Sequence, residues 1–165
     1  MGYRELFLIL SSTVLFSIIK INVNRNFVES QDVLQEHKIA YQAIGIAKKY
    51  FEEAHILKFD SRADDLDPAD MPGGFSPWYA LGSGRREYYG DFDDIDDFHQ
   101  FNTVVISNGI TFNVSIKVRY VDEANLQSWV WHRTFFKNMI VVVSCDYLKE
   151  DITMQQLFSY YGLKN

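Results

Sequence analysis

The residues with the clearest capacity for chemistry are five aspartates in one short segment, Asp91, Asp93, Asp94, Asp96 and Asp97. Calcium is a hard cation that takes about six to eight oxygen ligands, and carboxylates supply them. The segment does not match an EF-hand, because that loop requires Gly at its sixth position and Glu at its last. The sequence therefore leaves two interpretations open: a calcium site formed by these aspartates, or an acidic turn exposed to solvent.

The sequence carries no recognisable catalytic motif. Its four histidines are scattered without HExxH spacing, and neither a GxSxG nor a Walker-type GxxxxGK[ST] pattern occurs. Cys145 is the single cysteine, so no CxxC pair is present for zinc or for dithiol chemistry. We therefore expect no enzymatic activity and no cofactor beyond the candidate calcium ion. We expect Cys145 to be a small buried hydrophobic residue at the end of a strand.

The charge balance argues against a nucleic-acid partner. Sixteen Lys and Arg against 22 Asp and Glu give a formal net charge of -6, and no run of basic residues is present to neutralise phosphates. The chain is 47% hydrophobic and 16% aromatic, which is ample apolar material for a packed core. These totals predict a folded domain rather than a disordered chain.

The element that leads the chain is a strongly apolar segment. Leu6 to Ile19 contains no charge, and it lies between Arg4-Glu5 and Lys20. As a helix its fourteen residues reach about 21 Å, which is shorter than the ~30 Å hydrocarbon core of a bilayer unless flanking residues snorkel. We therefore assign residues 1–24 to a hydrophobic helix that forms either a membrane anchor or the core of an assembly.

The periodicity changes after Asn24. Apolar residues then recur at spacings of three, four and seven, which predicts an amphipathic helix over 25–57 whose apolar stripe faces its own domain. No Pro interrupts the sequence up to Leu57, so one nearly continuous helix is expected. The predicted stripe consists of Phe27, Leu34, Tyr41, Ile44, Ala47, Phe51 and Ala54.

Glu5 stands where the apolar helix begins. A carboxylate is costly to bury there unless a cation meets it, and the nearest one is the α-amino group of Met1, from the same chain or from a neighbouring subunit. A glutamate near a helix N-terminus is also favoured by the helix dipole and by unpaired N–H groups, without any assembly. Both roles remain open for Glu5.

Met1-Gly-Tyr-Arg-Glu5 followed by LFLILSSTVLFSIIKINVNRNF resembles the mature N-terminus of type IV pilins and of type II secretion pseudopilins, over about the first third of the chain. The resemblance implies that prepilin peptidase has removed a leader, that Met1 is methylated, and that Glu5 is the family's acidic fifth residue. Tyr3 and Arg4 stand where the family usually has aliphatic residues, and Arg4 can pair either with Glu5 or with an acidic group of a neighbouring subunit. The expected assembly residues are Met1, Arg4, Glu5, Leu6, Phe7, Leu10, Val14 and Phe16.

The resemblance implies a structural role in a type IV pilus-like filament at the cell surface. The chain would be anchored in the inner membrane before assembly, handled by the pilus assembly machinery, and then packed into a helical homo-oligomer. One alternative is a pseudopilin or minor pilin of a secretion or uptake machine. Another is a membrane-anchored ligand-binding domain that uses the aromatic loop 75–89 as its pocket.

The remaining sequence predicts a long loop followed by a sheet. Residues 58–102 contain all three Pro and most of the Gly, which predicts a long loop. Its aromatic residues can pack the loop onto the domain, which is the commonest fate of large aromatic side chains, or they can cover a neighbouring subunit or bind a ligand; they are Trp78, Tyr79, Tyr88 and Tyr89. Within 103–165, alternation predicts strands at 103–106, 111–121 and 135–145, and residues 152–161 fit either a helix or a strand. Asn108-Gly109 predicts a two-residue hairpin turn. The expected fold is α+β, with the second half of the long helix packed on a small antiparallel sheet.

Overall fold

The computed structural model describes residues 2–63, 66–83 and 87–163, and the chain divides into two compact units. We call Met1–Ile39 the leading unit and Ala40–Asn165 the head unit. Helix α1 (Tyr3–His55) begins in the leading unit and ends in the head unit. The predicted fold class is confirmed: the chain is α+β, and the helix packs on a four-stranded antiparallel sheet.

The buried face of α1 begins later in the chain than the periodicity predicted. It consists of small and aromatic residues spaced by three and four, and of the predicted stripe only Ala47, Phe51 and Ala54 belong to it. Phe27, Leu34 and Tyr41 are 63%, 59% and 74% exposed, so their predicted contact with the domain is wrong. Alanines contribute little to a hydrophobicity pattern, but their small side chains let a helix approach a sheet closely. The buried residues of α1 are Ala43, Ile46, Ala47, Tyr50, Phe51 and Ala54.

The sheet is an antiparallel meander in the order β1-β2-β3-β4. Its strands are β1 (Asn102–Ser107), β2 (Ile110–Tyr120), β3 (Phe136–Ser144) and β4 (Ile152–Ser159). The three predicted strands are confirmed within one residue at each end. The element left open between helix and strand is strand β4, which is followed by the short helix α2 (Tyr160–Leu163).

The turn between β1 and β2 follows from local backbone chemistry. Asn108 and Gly109 have φ values of 50° and 78°, and Ser107 pairs with Ile110 across the turn. Two consecutive positive φ angles characterise the hairpin turn whose twist matches that of the strands. The predicted two-residue hairpin is confirmed, and it fixes the register of the first strand pair.

The buried face of the sheet carries one unexpected cation. On β2 the alternation buries apolar side chains from Phe112 to Tyr120, as predicted. On β3 the residues in the same phase are Met139, Val141, Val143 and also Lys137, which is fully buried. A lysine is almost never buried without partners, so the segment opposite β3 must supply them.

The long loop is organised by short turns and by an aromatic cluster. Its described residues include 3₁₀ helices at Pro68–Asp70, Trp78–Ala80, Tyr89–Asp91 and Ile95–Phe98. The ring centroid of Phe75 lies 5.4 Å from that of Phe59 and 5.5 Å from that of Tyr160. These contacts join the start of the loop to the end of the chain, and Cys145 is buried as expected.

Candidate functional site

The predicted assembly residues lie on an exposed apolar surface of the leading unit. Leu6, Phe7, Leu10, Val14 and Phe16 are between 54% and 70% exposed. Within the described residues, α1 is the one helix long and apolar enough to cross a membrane by length and composition. Met1, which completes the predicted set, lies outside the described residues.

The hydroxyl groups within this apolar surface are satisfied inside the helix. Ser11 and Ser12 donate to the carbonyls of Leu8 and Ile9 at 3.0 Å and 2.9 Å. Thr13 donates to Leu10 O and Ser17 to Thr13 O, both at 2.8 Å. Because these groups already have acceptors, burying them in lipid or among other helices carries a small desolvation cost. The segment is therefore suited to an apolar environment on all sides.

Glu5 caps the start of the helix. The backbone N–H of Gly2 donates to Glu5 Oε2 at 3.3 Å, which matches the local role that the sequence left open. An acidic group in the first turn is also favoured by the helix dipole. Arg4 is exposed beside it. A contact between Glu5 and an α-amino group involves Met1 and stays a prediction.

Residues 6–23 are long enough to cross a membrane, and we call them the membrane-length segment. A second apolar surface lies on α1 after this segment. Phe27, Leu34 and Tyr41 recur every seven residues, a spacing that returns to the same side of a helix. We call these three residues the outer stripe. All three are more than half exposed.

The acidic segment of the long loop is only partly exposed. Asp91 and Asp93 are exposed, but Asp94, Asp96 and Asp97 are buried, so the expectation of a solvated turn is wrong for these three. Asp94 and Asp97 can be buried because their carboxylates accept hydrogen bonds from backbone N–H groups. Asp94 accepts hydrogen bonds from Asp96 N at 2.7 Å and from Ser61 N at 2.7 Å, and Asp97 accepts from Asp93 N at 3.0 Å.

Lys137 is the centre of this buried polar cluster. Its Nζ donates to Phe59 O at 2.6 Å and lies 3.3 Å from Asp60 Oδ2 and 2.5 Å from Asp96 Oδ1. Asp60 in turn accepts from Ser76 N at 2.7 Å. Sequence reasoning missed this cluster. Its one signal was that Lys137 has the same phase as the buried residues of β3.

The buried carboxyl groups have shifted proton affinities. Burial raises the pKa of Asp96 to about 7, although the charge of Lys137 opposes the shift. The Lys137 ammonium, 2.5 Å from Asp96 Oδ1, is the partner of this carboxyl among the described residues. Burial raises the pKa of Asp97 to about 6, with repulsion from Asp94 as the second cause.

The predicted calcium ligands are not brought together as a set. Among the described residues, the acidic groups whose oxygens converge are Asp60, Asp94 and Asp96, with ligand atoms within 4.8 Å of one another. The ammonium of Lys137 already pairs with two of these three carboxylates. Calcium binding by the predicted five aspartates stays a prediction.

The aromatic residues of the loop differ in their packing. Tyr89 stacks on Phe101, with ring centroids 5.0 Å apart and planes at 11°. Tyr79 and Tyr88 are 72% and 79% exposed, so their predicted packing onto the domain is wrong. Trp78 is 44% exposed and contacts Trp131, which comes from the loop between β2 and β3. Solvent-exposed aromatic side chains on a folded domain mark a candidate contact surface.

Comparison with known proteins returned no match: no family model, no curated protein and no solved structure is significantly similar to the chain. The resemblance to type IV pilins therefore stands on the N-terminal residues alone.

Proposed function

We propose that this protein is a structural subunit of a type IV pilus-like filament at the cell surface, which polymerises through α1. Before assembly the apolar part of α1 holds the chain in the inner membrane, where the pilus assembly machinery takes it up. The subunit then packs against identical copies. The role is mechanical, and no catalytic step is assigned to it.

The outer stripe is the observation that carries this proposal. If residues 6–23 fill the hydrocarbon layer, they occupy about 27 Å of it, and Arg25 and Glu29 lie in the headgroup region or beyond. Phe27 then lies at the level of the headgroups, and Leu34 and Tyr41 stand in water with more than half of each side chain exposed. A simple membrane anchor has no use for such a stripe, whereas packing between helices of neighbouring subunits buries it.

The N-terminal residues support the same arrangement. Glu5 lies in the first turn of an otherwise apolar surface, where an α-amino group from a neighbouring Met1 would neutralise it on burial. Four hydroxyl groups of this segment are bonded within the helix, so the segment can lie in lipid before assembly and among helices afterwards; they belong to Ser11, Ser12, Thr13 and Ser17. A pseudopilin or minor pilin would use the same surfaces, and its lower abundance in filaments sheared from cells would distinguish it.

The test substitutes the outer stripe and leaves the membrane segment intact. We expect Leu34→Asn to raise the concentration needed for polymerisation at least about tenfold, because burying a leucine side chain contributes about 1.5–3 kcal/mol. Polymerisation is measured on full-length protein by sedimentation and negative-stain microscopy after removal of detergent. Membrane insertion, measured by alkaline extraction of membranes, should not change.

Asp32→Asn is the matched control. It introduces the same residue at an exposed position two residues away, about 200° around the helix from Leu34. This variant should polymerise as the unsubstituted chain does. Wild-type protein that stays monomeric without detergent, or two variants that behave alike, would contradict the proposal.

A further inference from the structure

The head unit carries a cleft of about 340 Å³ whose lining is aromatic and cationic. We call it the tryptophan cleft and define it by Trp78, Trp129, Trp131, His99, Gln100 and Arg119. These residues come from separate segments: a 3₁₀ helix, the turn after Ile95–Phe98, strand β2, and the loop between β2 and β3. The loop is held in place because Val130 N donates to Tyr120 O at 3.0 Å and Asp122 N donates to Ser128 O at 2.9 Å.

The tryptophans form one contiguous apolar platform. The ring centroid of Trp131 lies 4.4 Å from that of Trp78 and 4.4 Å from that of Trp129. The three side chains are 44%, 49% and 58% exposed for Trp78, Trp129 and Trp131. They are all the tryptophans of the chain. An indole buries a large apolar area when it is covered, so three of them together on a surface mark an interaction site.

Hydrogen-bonding groups lie around this platform. His99 Nδ1 accepts from Val118 N at 3.2 Å, which leaves the proton of a neutral imidazole on Nε2 as a donor. Burial lowers the pKa of His99, which favours the neutral form of the imidazole. Gln100 has a φ of 62°, a left-handed conformation that is uncommon for a residue other than Gly and is concentrated at functional sites.

The charge of the cleft is opposite to that of the whole chain. Among the described residues, no Asp or Glu lines it, although the chain has a formal net charge of -6. Lys117 and Arg119 supply its charged groups, and the Arg119 guanidinium lies 5.3 Å from the ring centroid of Trp129. An arginine held over an indole is oriented to pair with a carboxylate.

We propose that the tryptophan cleft binds an acidic carbohydrate, a short stretch of a uronate-bearing polysaccharide. Sugar rings present C–H faces that pack on the electron-rich faces of indoles, and their hydroxyls need donors and acceptors such as those of His99 and Gln100. The uronate carboxylates pair with Arg119 and Lys117. A single-stranded nucleic acid is also anionic and also stacks on aromatic rings, so it is the competing ligand that the test must distinguish.

The experiment uses the intrinsic fluorescence of the full-length protein in detergent micelles. Because every tryptophan lies in the cleft, emission excited at a wavelength that tyrosine does not absorb reports on this site. Hexagalacturonate is the acidic probe, cellohexaose the neutral one, and a thymidine hexanucleotide the nucleic-acid one. We expect a saturable emission change with hexagalacturonate, and at least about tenfold weaker binding of cellohexaose, as loss of a charge-assisted hydrogen bond predicts.

Two substitutions assign the charge effect to the cleft. Arg119→Gln retains all three tryptophans and should weaken hexagalacturonate binding about tenfold or more, with little effect on cellohexaose. Lys48→Gln removes the same charge from an exposed position of the head unit outside the cleft, and binding should not change. Unchanged thermal unfolding of both variants shows that the fold is retained.

Three outcomes would overturn the inference. The first is the absence of a saturable response to hexagalacturonate. The second is a result without a charge effect at the cleft. This would be equal affinity for hexagalacturonate and cellohexaose, or an equal loss of hexagalacturonate affinity in Arg119→Gln and Lys48→Gln. The third is tighter binding of the thymidine hexanucleotide. None of these measurements depends on polymerisation, so the result is independent of the filament proposal.

Discussion

Lys137 is fully buried on the inner face of the sheet. Its ammonium has the carbonyl of Phe59 and two carboxylates as partners, and it lies 4.3 Å from the ring centroid of Phe59. Removing one member of such a buried ion pair leaves an uncompensated charge and typically costs about 3–5 kcal/mol. Because the partners come from the segment after α1 and from the acidic segment, the cluster holds both against β3.

Asp96 should make the stability of the head unit depend on pH. Its pKa is about 7 in the folded chain, against about 3.9 in an unfolded chain. The folded state therefore binds more protons between these values, and the unfolding free energy falls as pH rises through this window, by at most about 1.4 kcal/mol per pH unit. Asp96→Asn cannot ionise, so we expect a shallower fall. The measurement is denaturant unfolding at several pH values between about 4 and 8.

Asp91→Asn is the control for this prediction, since it makes the same change at an exposed position of the same segment. Its pH dependence should equal that of the unsubstituted chain. Part of the slope should persist in Asp96→Asn between about pH 4 and 6, because Asp97 also has a raised pKa. An Asp96→Asn variant with the full original slope would show that another group causes it.

At the scale of elements, the contact between α1 and the sheet depends on small side chains. Ala43, Ala47 and Ala54 have no exposed surface. Gly45 lies on the same helix, but apart from its chain neighbours and the backbone of its own helix no atom lies within 4 Å of the place where its Cβ would stand. One side of this part of the helix therefore has no room for a larger side chain, whereas the side that carries Gly45 is open.

Substitutions at these two sides should have opposite effects. Ala47→Leu adds volume to a closed contact and should lower the unfolding free energy by about 1–3 kcal/mol. Gly45→Ala should raise it by about 0.5–1 kcal/mol, because alanine loses less backbone entropy in a helix and meets open space here. Denaturant unfolding of the full-length chain gives both values. If Ala47→Leu left the unfolding free energy unchanged, this would contradict the close packing of the helix on the sheet.

The strands of the sheet were predictable because their signals are local. The alternation on β2 and the Asn108-Gly109 turn depend on residues within a few positions of each other, and the structure places both as expected. The polar cluster was not predictable in this way. Lys137 meets Asp60 across 77 positions of the sequence, and Ser61 meets Asp94 across 33. No periodicity contains such a pairing.

The candidate surfaces also differ in whether a local sequence signal or a contact between distant residues identifies them. Residues 6–19 were identified as a hydrophobic helix from their composition alone, because hydropathy is a local property of the sequence. The tryptophan cleft needed the fold, because Trp78 and Trp131 are brought together from loops on either side of two strands. The residues of the outer stripe were recognised as apolar, but their predicted contact with the chain's own domain was wrong. A helical period shows which residues share a face and not what covers that face.

At the scale of the whole molecule, the division into two units predicts which functions can be separated. All buried residues of α1 lie between Ala43 and Ala54, inside the head unit, together with the complete sheet and the tryptophan cleft. A chain that begins at Ala40 keeps this core. A chain that begins at Arg25 keeps the core and the outer stripe but lacks the membrane-length segment.

We expect these two truncated chains to differ in association and not in folding. Both should be soluble, unfold cooperatively and show the same tryptophan emission, because no buried contact of the head unit is lost. The chain from Arg25 should self-associate at high concentration through Phe27 and Leu34, whereas the chain from Ala40 should remain monomeric in analytical ultracentrifugation. If the chain from Ala40 failed to unfold cooperatively, the leading unit would be part of the fold. If both chains stayed monomeric, the outer stripe alone would be too weak to associate, and assembly would require residues 6–23 as well.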